Sequence, residues 1–290
     1  MQKGIDMAFT KIYQEKRDAF ESCLSKIFSA VKGIPDALRS AMEYSLLDGG
    51  KRIRPIMFLE TYRVFAGEPD ENVLYFAAAV ECIHCYSLVH DDLPCMDSDD
   101  MRRGKPTNHR VFGEGVAVLA GDALLNLAYE FIFEAINGAS EKENYLKAAL
   151  LFAKNAGSRG LIAGQIQDIT VKDNIPADML KYIFRHKTGD LIIASCAAAA
   201  ILGGASQAEL LHILNFADYF AYAFQIKDDI LDYQDKKGER TSFVKNYGLM
   251  RATQTLGDST QKAQQELAAL KGRDTDFLKK LTIKYASRKD

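Results

Sequence analysis

The sequence predicts an all-α protein, and three observations carry that reading. Apolar residues recur at helical spacing, as in Phe9, Ile12, Phe20, Leu24, Ile27, Phe28 and Val31. Glycine and proline stops separate such runs at helix-sized intervals. No run alternates apolar and polar residues as a half-buried strand would. At 290 residues the chain exceeds the usual domain size. It carries no Pro/Gly/Ser-rich linker, low-complexity tract or internal repeat. Residues 1–290 are therefore expected to form one domain, a bundle of about ten or more helices.

The first helix is expected over residues 8–31, with Gly33 and Pro35 marking a turn. The second, 35–47, stops at Asp48-Gly49-Gly50. A third opens in Lys51-Arg52-Ile53-Arg54-Pro55 and runs to 65, before the turn Gly67-Glu68-Pro69-Asp70. A central helix covers about 72–92, another 113–136 with Asn137-Gly138 as its stop, and another 145–162. Asn174-Ile175-Pro176 starts a helix that carries Arg185-His186-Lys187-Thr188-Gly189-Asp190. Residues 210–232, 252–270 and 276–285 complete the set.

Composition narrows the function. A net charge of −2 gives no broad basic surface for nucleic acid. The N-terminus lacks a signal-peptide apolar core. The longest apolar stretch, 191–202, is shorter than the roughly 20 residues of a membrane span. Its alanines read as close helix packing. No membrane span is expected. Cys82-Ile83-His84-Cys85 has C-x-x-C spacing, but no second pair follows and no strand-helix redox context surrounds it. These read as packing cysteines. Five cysteines without a framework suggest a reducing cytoplasm.

The chemistry is concentrated where the central helix ends. Residues 87–107 contain Asp91, Asp92, Asp97, Asp99 and Asp100, followed by Arg102-Arg103-Gly104-Lys105-Pro106-Thr107. Unpaired carboxylates at this density are costly to bury. Hard oxygen donors without a His/Cys set favour Mg²⁺ or Mn²⁺ over zinc. The two arginines supply forked donors for phosphate oxygens. A solvated acidic loop is the alternative at this point. Asp91 and Asp97 are six apart, off-face on a helix, and Pro94 disturbs the helix between them. Their carboxylates share a site only if the chain loops back. A second acidic helix end, Phe224-Gln225-Ile226-Lys227-Asp228-Asp229-Ile230-Leu231-Asp232, puts Asp228 and Asp232 on one face. Two such ends suggest a cavity with metal-binding walls on both sides.

Asp-Asp-x4-Asp, Arg-Arg-Gly-Lys-Pro-Thr and the later Asp-Asp-Ile-Leu-Asp resemble the trans-isoprenyl diphosphate synthases. The long first motif is similar to the bacterial short-chain branch, the farnesyl diphosphate synthases. Gly49-Gly50-Lys51-Arg52-Ile53-Arg54-Pro55, Gly164-Gln165-x2-Asp168 and His186-Lys187-Thr188-Gly189 appear in the family's order, so the resemblance spans about residues 40–232.

The resemblance implies the isoprenoid synthase fold, with helices around a central cavity. It also implies a cytoplasmic homodimeric prenyltransferase that joins isopentenyl diphosphate to dimethylallyl or geranyl diphosphate, giving farnesyl diphosphate. Three Mg²⁺ ions per site, with Mn²⁺ an alternative, would be held by Asp91, Asp92, Asp97, Asp228 and Asp232. Isopentenyl diphosphate would lie on Lys51, Arg54, His84 and Arg103. Arg102 and Lys187 would meet the allylic diphosphate; Lys187, Thr188 and Gln225 would face the reacting carbon. Tyr86 and Ser87, about one turn before the first motif, would form the floor that limits product length. Asp168 is left open as a supporting or structural residue.

The chain departs from the family after Asp232. A shorter loop leads to Arg240, where a lysine is expected, with Lys236 and Lys237 as possible substitutes. Three alternatives stand beside the farnesyl reading: a geranyl or geranylgeranyl synthase, a terpene cyclase, and a catalytically silent subunit of a heteromeric synthase. The basic Lys51/Arg54 block argues against the cyclase, because it implies a second diphosphate site.

Overall fold

A computed structural model describes residues 2–171, 175–234 and 241–288, with residues 2–6 and 234 described by backbone alone. The chain divides into two compact units, Met1–Leu59 with Pro69–Tyr145 and Glu60–Glu68 with Leu146–Asp290. The architecture is all-α, as expected; its strands amount to one short hairpin among the described residues.

In the first unit, α1 (Gln2–Ala30), α2 (Asp36–Leu46) and the start of α3 (Ile53–Ala66) lead to α4 (Glu71–Asp91). Asp70 caps α4, its carboxylate accepting the Val73 N–H at 2.9 Å. Phe76–Val80, Cys82, Ile83 and Cys85 are buried along α4, and Phe76 stacks on Phe58 with centroids 5.3 Å apart. The two C-x-x-C cysteines are thus core residues, as read from the sequence. A two-stranded hairpin, β1 (Met101–Arg102) and β2 (Lys105–Pro106), follows the acidic stretch, and then a short α5 (Asn108–Phe112). Both escaped the sequence reading, since two-residue strands and a five-residue helix leave no periodicity to detect.

Helix α6 (Glu114–Gly138) lies along α4. Gly121 makes their approach possible: a Cβ there would sit 2.1 Å from His90 Nε2. His90 uses that space to donate from Nε2 to the Val118 carbonyl, 3.0 Å away. The wedge holds the end of α4, and hence Asp91, against α6. Length and hydropathy alone would let α4 and α6 cross a membrane, which corrects the expectation that no stretch is long enough. However, 67% of the α4 window is inside the structure, and Glu81 is buried within it.

The second unit contains α7 (Lys142–Ala156) from Leu146 on, α8 (Leu161–Thr170), α9 (Ala177–Ile183), a π-helical turn (Phe184–Gly189), α10 (Asp190–Leu202), α11 (Gln207–Gln234), α12 (Phe243–Tyr247), α13 (Leu249–Ala269) and α14 (Asp276–Ser287). The single helix expected over 145–162 is two, broken at Gly157 to Gly160. The helix expected to run through 185–190 is interrupted by the π turn. Helix α10 is buried at every position from Asp190 to Ala200, bearing out the close packing inferred from its alanines. Ile226, Ile230, Phe243, Val244 and Ala252 form a core cluster with Ile183 and Phe184. Lys236, Lys237 and Arg240 lie outside the described residues.

Candidate active site

The first unit gathers positive charge around one histidine. Gly49 and Gly50 adopt φ of +70° and +109°, which side-chain-bearing residues rarely reach. A Cβ on Gly50 would also lie 2.7 Å from the Arg103 guanidinium. The bare glycine lets Arg103 lie on the turn and donate from Nη1 to the Gly49 carbonyl at 2.8 Å. The hairpin that carries Arg103 is fixed at its other strand: Lys105 pairs with Asp48, and Tyr44 Oη donates to the Pro106 carbonyl at 2.6 Å.

Arg54 Nη1 stands 3.3 Å from His84 Nε2. A guanidinium can only donate, so Nε2 accepts and the imidazole is neutral. Burial first, and then Arg54 and Arg103, hold the His84 pKa well below its usual value. Arg54 and Arg103 beside a neutral, half-buried imidazole leave the cluster cationic, a setting suited to a phosphate group. Lys51 is exposed at the same turn, its carbonyl accepting from Tyr13 Oη.

Arg52 behaves differently from its neighbours Lys51 and Arg54. It is 2% exposed at φ +48°. It is paired with Glu81, donates to Glu21 Oε1 at 2.7 Å and Oε2 at 3.1 Å, and reaches the Leu46 carbonyl at 2.6 Å. Burial works against its charge; Glu81 and Glu21 outweigh burial and raise its pKa. It anchors the start of α3 and so aims Lys51 and Arg54. No local pattern marks it out, because its partners are 31 and 29 residues away in the chain.

The first acidic motif does loop back. Met96 N–H reaches the Leu93 carbonyl at 2.8 Å, Asp97 N–H the Asp91 carbonyl at 2.9 Å, and Ser98 turns through φ +56°. Asp97 is therefore brought back beside Asp91 despite the six-residue separation. Asp92 is placed elsewhere. It is 3% exposed and grips Arg102: Nε lies 2.7 and 2.9 Å from its two oxygens, and Nη2 lies 2.6 Å from Oδ1. Burial lifts the Asp92 pKa, against the pull of Arg102. Arg102, expected on the allylic diphosphate, is here the internal partner of Asp92.

Tyr86 is buried, its hydroxyl making no hydrogen bond, and its ring meets His90 edge-on at 5.9 Å. Burial pushes its pKa up to about 12, so the phenol is neutral. Ser87 Oγ donates back to the His84 carbonyl at 2.9 Å.

The second unit builds around the π turn. The wider i→i+5 turn presents Lys187 and Thr188 from a locally distorted backbone, a feature that recurs at functional positions. Gly164 on α8 makes the contact possible, because a Cβ would stand 2.0 Å from Lys187 N. Lys187 Nζ pairs with Asp168 Oδ2. Asp168 is thus the residue that orients Lys187, a role its sequence block left undecided. Thr188 Oγ1 donates to Gln225 Oε1 at 3.0 Å, and Gln225 Nε2 lies 3.4 Å from Asp229 Oδ1. Asp229 is 6% exposed and accepts the backbone N–H of Phe243. Asp228 and Asp232 are partly exposed on the next face of α11, and Arg288 from the end of α14 pairs with Asp228.

Among the described residues no group of three or more His, Cys, Asp and Glu is set to hold a metal ion. The donors still fit Mg²⁺. They are all oxygens, and Mg²⁺ takes one or two carboxylates and completes its shell with water and substrate phosphate.

Residues 35–248 match the polyprenyl synthetase family model. The chain is 39% identical over 274 residues to farnesyl diphosphate synthase of Geobacillus stearothermophilus, covering 90% of this chain and 92% of that one. It is 40% identical over 253 residues to a chloroplastic geranylgeranyl pyrophosphate synthase of Capsicum annuum, covering 82% and 68%. Among solved structures, a geranyltransferase from Legionella pneumophila superposes with a TM-score of 0.89 at 28% identity, over 98% of both chains. An FPP/GFPP synthase from Zymomonas mobilis does so with a TM-score of 0.87 at 30% identity, over 95% and 99%. The match over most of its length establishes that the chain belongs to the polyprenyl synthetase family of prenyltransferases.

Proposed function

We propose that the protein condenses isopentenyl diphosphate with dimethylallyl or geranyl diphosphate and releases farnesyl diphosphate. The observation that carries this reading is the cationic cluster of Arg54 and Arg103 around neutral His84, in the same unit as the looped first aspartate motif. A cation-rich cradle beside hard oxygen donors suits one diphosphate held by arginines and another held through a metal. Mg²⁺, when bound through Asp91, Asp97, Asp228 and Asp232, would neutralise charge on the departing diphosphate.

The protein's own groups divide the remaining work. Lys51, Arg54, His84 and Arg103 hold isopentenyl diphosphate and present its double bond. Lys187, oriented by Asp168, neutralises charge that develops on the allylic leaving group, and this electrostatic contribution is generally the largest in catalysis. Thr188 and Gln225, linked to each other, offer oxygens to the developing carbocation. The double bond attacks that carbon, and the resulting cation loses a proton; the departed diphosphate is the acceptor at hand.

Tyr86 sets product length in this reading. It stands five residues before Asp91, about 7.5 Å along the helix. Its bulk would close the space below the allylic chain. The geranylgeranyl reading keeps one specific support, since relatives bearing that name are as similar as the farnesyl synthase. Incubation of the pure protein with Mg²⁺, labelled isopentenyl diphosphate and either primer, followed by product chromatography, decides between them. Farnesyl diphosphate from both primers is expected. Geranylgeranyl diphosphate would replace the product assignment, and no elongation from any primer would overturn the enzyme reading. Tyr86→Ala should lengthen the product; an unchanged product removes Tyr86 as the floor.

A further inference from the structure

We infer that Arg288 is a built-in competitor for divalent cation at Asp228, so that metal loading and release of the C-terminal turn are one event. The inference rests on the metal-dependent reading above. Arg288 follows α14, and its side chain is 6% exposed. Nη2 is bonded to Asp228 Oδ1 and lies 3.4 Å from the Phe224 carbonyl. The guanidinium sits 4.2 Å from the ring centroid of Phe224 and 5.3 Å from that of Tyr285.

A Mg²⁺ ion on Asp228, about 2.0–2.1 Å from a carboxylate oxygen, would share that carboxylate with the guanidinium on Oδ1. Two cations held on one carboxylate repel, and each weakens the hold of the other. The seat is imperfect for Arg288, because Nε and Nη1 are buried and make no hydrogen bond. Buried donors without partners are costly, and the two aromatic faces offset that cost only in part. Arg288 therefore keeps Asp228 neutralised until a metal arrives, and then has little to hold it in place.

The test uses full-length protein without substrate. Mn²⁺ affinity is read from the electron paramagnetic resonance signal of the free ion, for wild type, Arg288→Gln and Arg288→Lys. Arg288→Gln should bind Mn²⁺ about five-fold more tightly, the modest size reflecting a partly exposed pair. Arg288→Lys, which keeps the cation, should stay near wild type. A second readout guards against a disturbed C-terminal helix: Mn²⁺ should speed tryptic cleavage after Arg288 in wild type and have no such effect in Asp228→Asn. Equal Mn²⁺ affinity in wild type and Arg288→Gln, cleavage indifferent to Mn²⁺, or no uptake by either protein overturns the inference. A wild type that elongates substrate while matching Arg288→Gln in affinity sinks this inference alone. One that shows the competition yet elongates nothing sinks the proposed function alone.

Discussion

The two Asp-Asp pairs share a sequence pattern and solve the same problem with different partners. Neighbouring residues on a helix point about 100° apart, so a pair cannot face one site together. In each pair the second aspartate turns inward. Asp92 is buried against Arg102, ten residues on in the same motif. Asp229 is buried against the backbone N–H of Phe243 and beside Gln225. The first aspartates, Asp91 and Asp228, keep partial exposure. Asp-Asp is therefore two different instructions, one to the solvent-facing site and one to the scaffold. The inward residue fixes the helix end from which the outward one projects.

The largest effect should separate those two instructions. Asp91→Ala and Asp228→Ala should each lower the elongation rate by about 10²–10³-fold, the cost of one lost electrostatic stabiliser. The urea unfolding midpoint of Asp91→Ala should stay close to wild type, whereas Asp228→Ala also removes the partner of buried Arg288 and loses stability for that reason. A large loss of stability in Asp91→Ala would erase the distinction.

Asp92→Ala should instead lower stability. Removing one partner of a buried pair orphans the other, and because Arg102 is a third exposed the expected loss is about 2–3 kcal/mol rather than the full cost. Urea unfolding measures it. Asp229→Ala should cost less, about 1–3 kcal/mol, because it orphans a neutral N–H rather than a charge. If Asp229→Ala proves the more damaging, the ranking of charged over backbone partner fails.

The smallest expected effect is a pH slope. Burial raises the Asp92 pKa, so the folded state binds that proton more tightly than the unfolded chain does. Its contribution to stability is full below the ordinary aspartate value, about 4, and is lost as pH rises through the raised folded value. Unfolding free energies measured across that window should fall less steeply with pH in Asp92→Asn than in wild type. Identical slopes would mean that Arg102 cancels the effect of burial, and a reversed difference that it outweighs burial.

The helices were legible because their apolar periodicity is local, and the functional blocks were legible because their residue types are chemically unusual. The misreadings share a cause. The π turn at Phe184–Gly189 has a sequence that suits an ordinary helix, and its distortion accompanies a contact in which Gly164 lets α8 approach the Lys187 backbone. The break at Gly157 to Gly160 was visible as two glycines but was outvoted by the apolar spacing around it. Arg52 looked like a third basic residue beside Lys51 and Arg54, and only its distant carboxylates make it a buried anchor.

By itself the sequence determined the all-α class, the family, and which side chains carry charge at the helix ends. Those follow from local spacing and side-chain chemistry. Only the tertiary structure decided which aspartate of each pair faces inward, that Asp97 returns to Asp91, that Asp168 orients Lys187, and that Arg288 occupies Asp228. The reason is physical: a charged group is buried only where a partner waits, and here the partners stand 10 to 60 residues away, beyond the spacing that a helical pattern reveals.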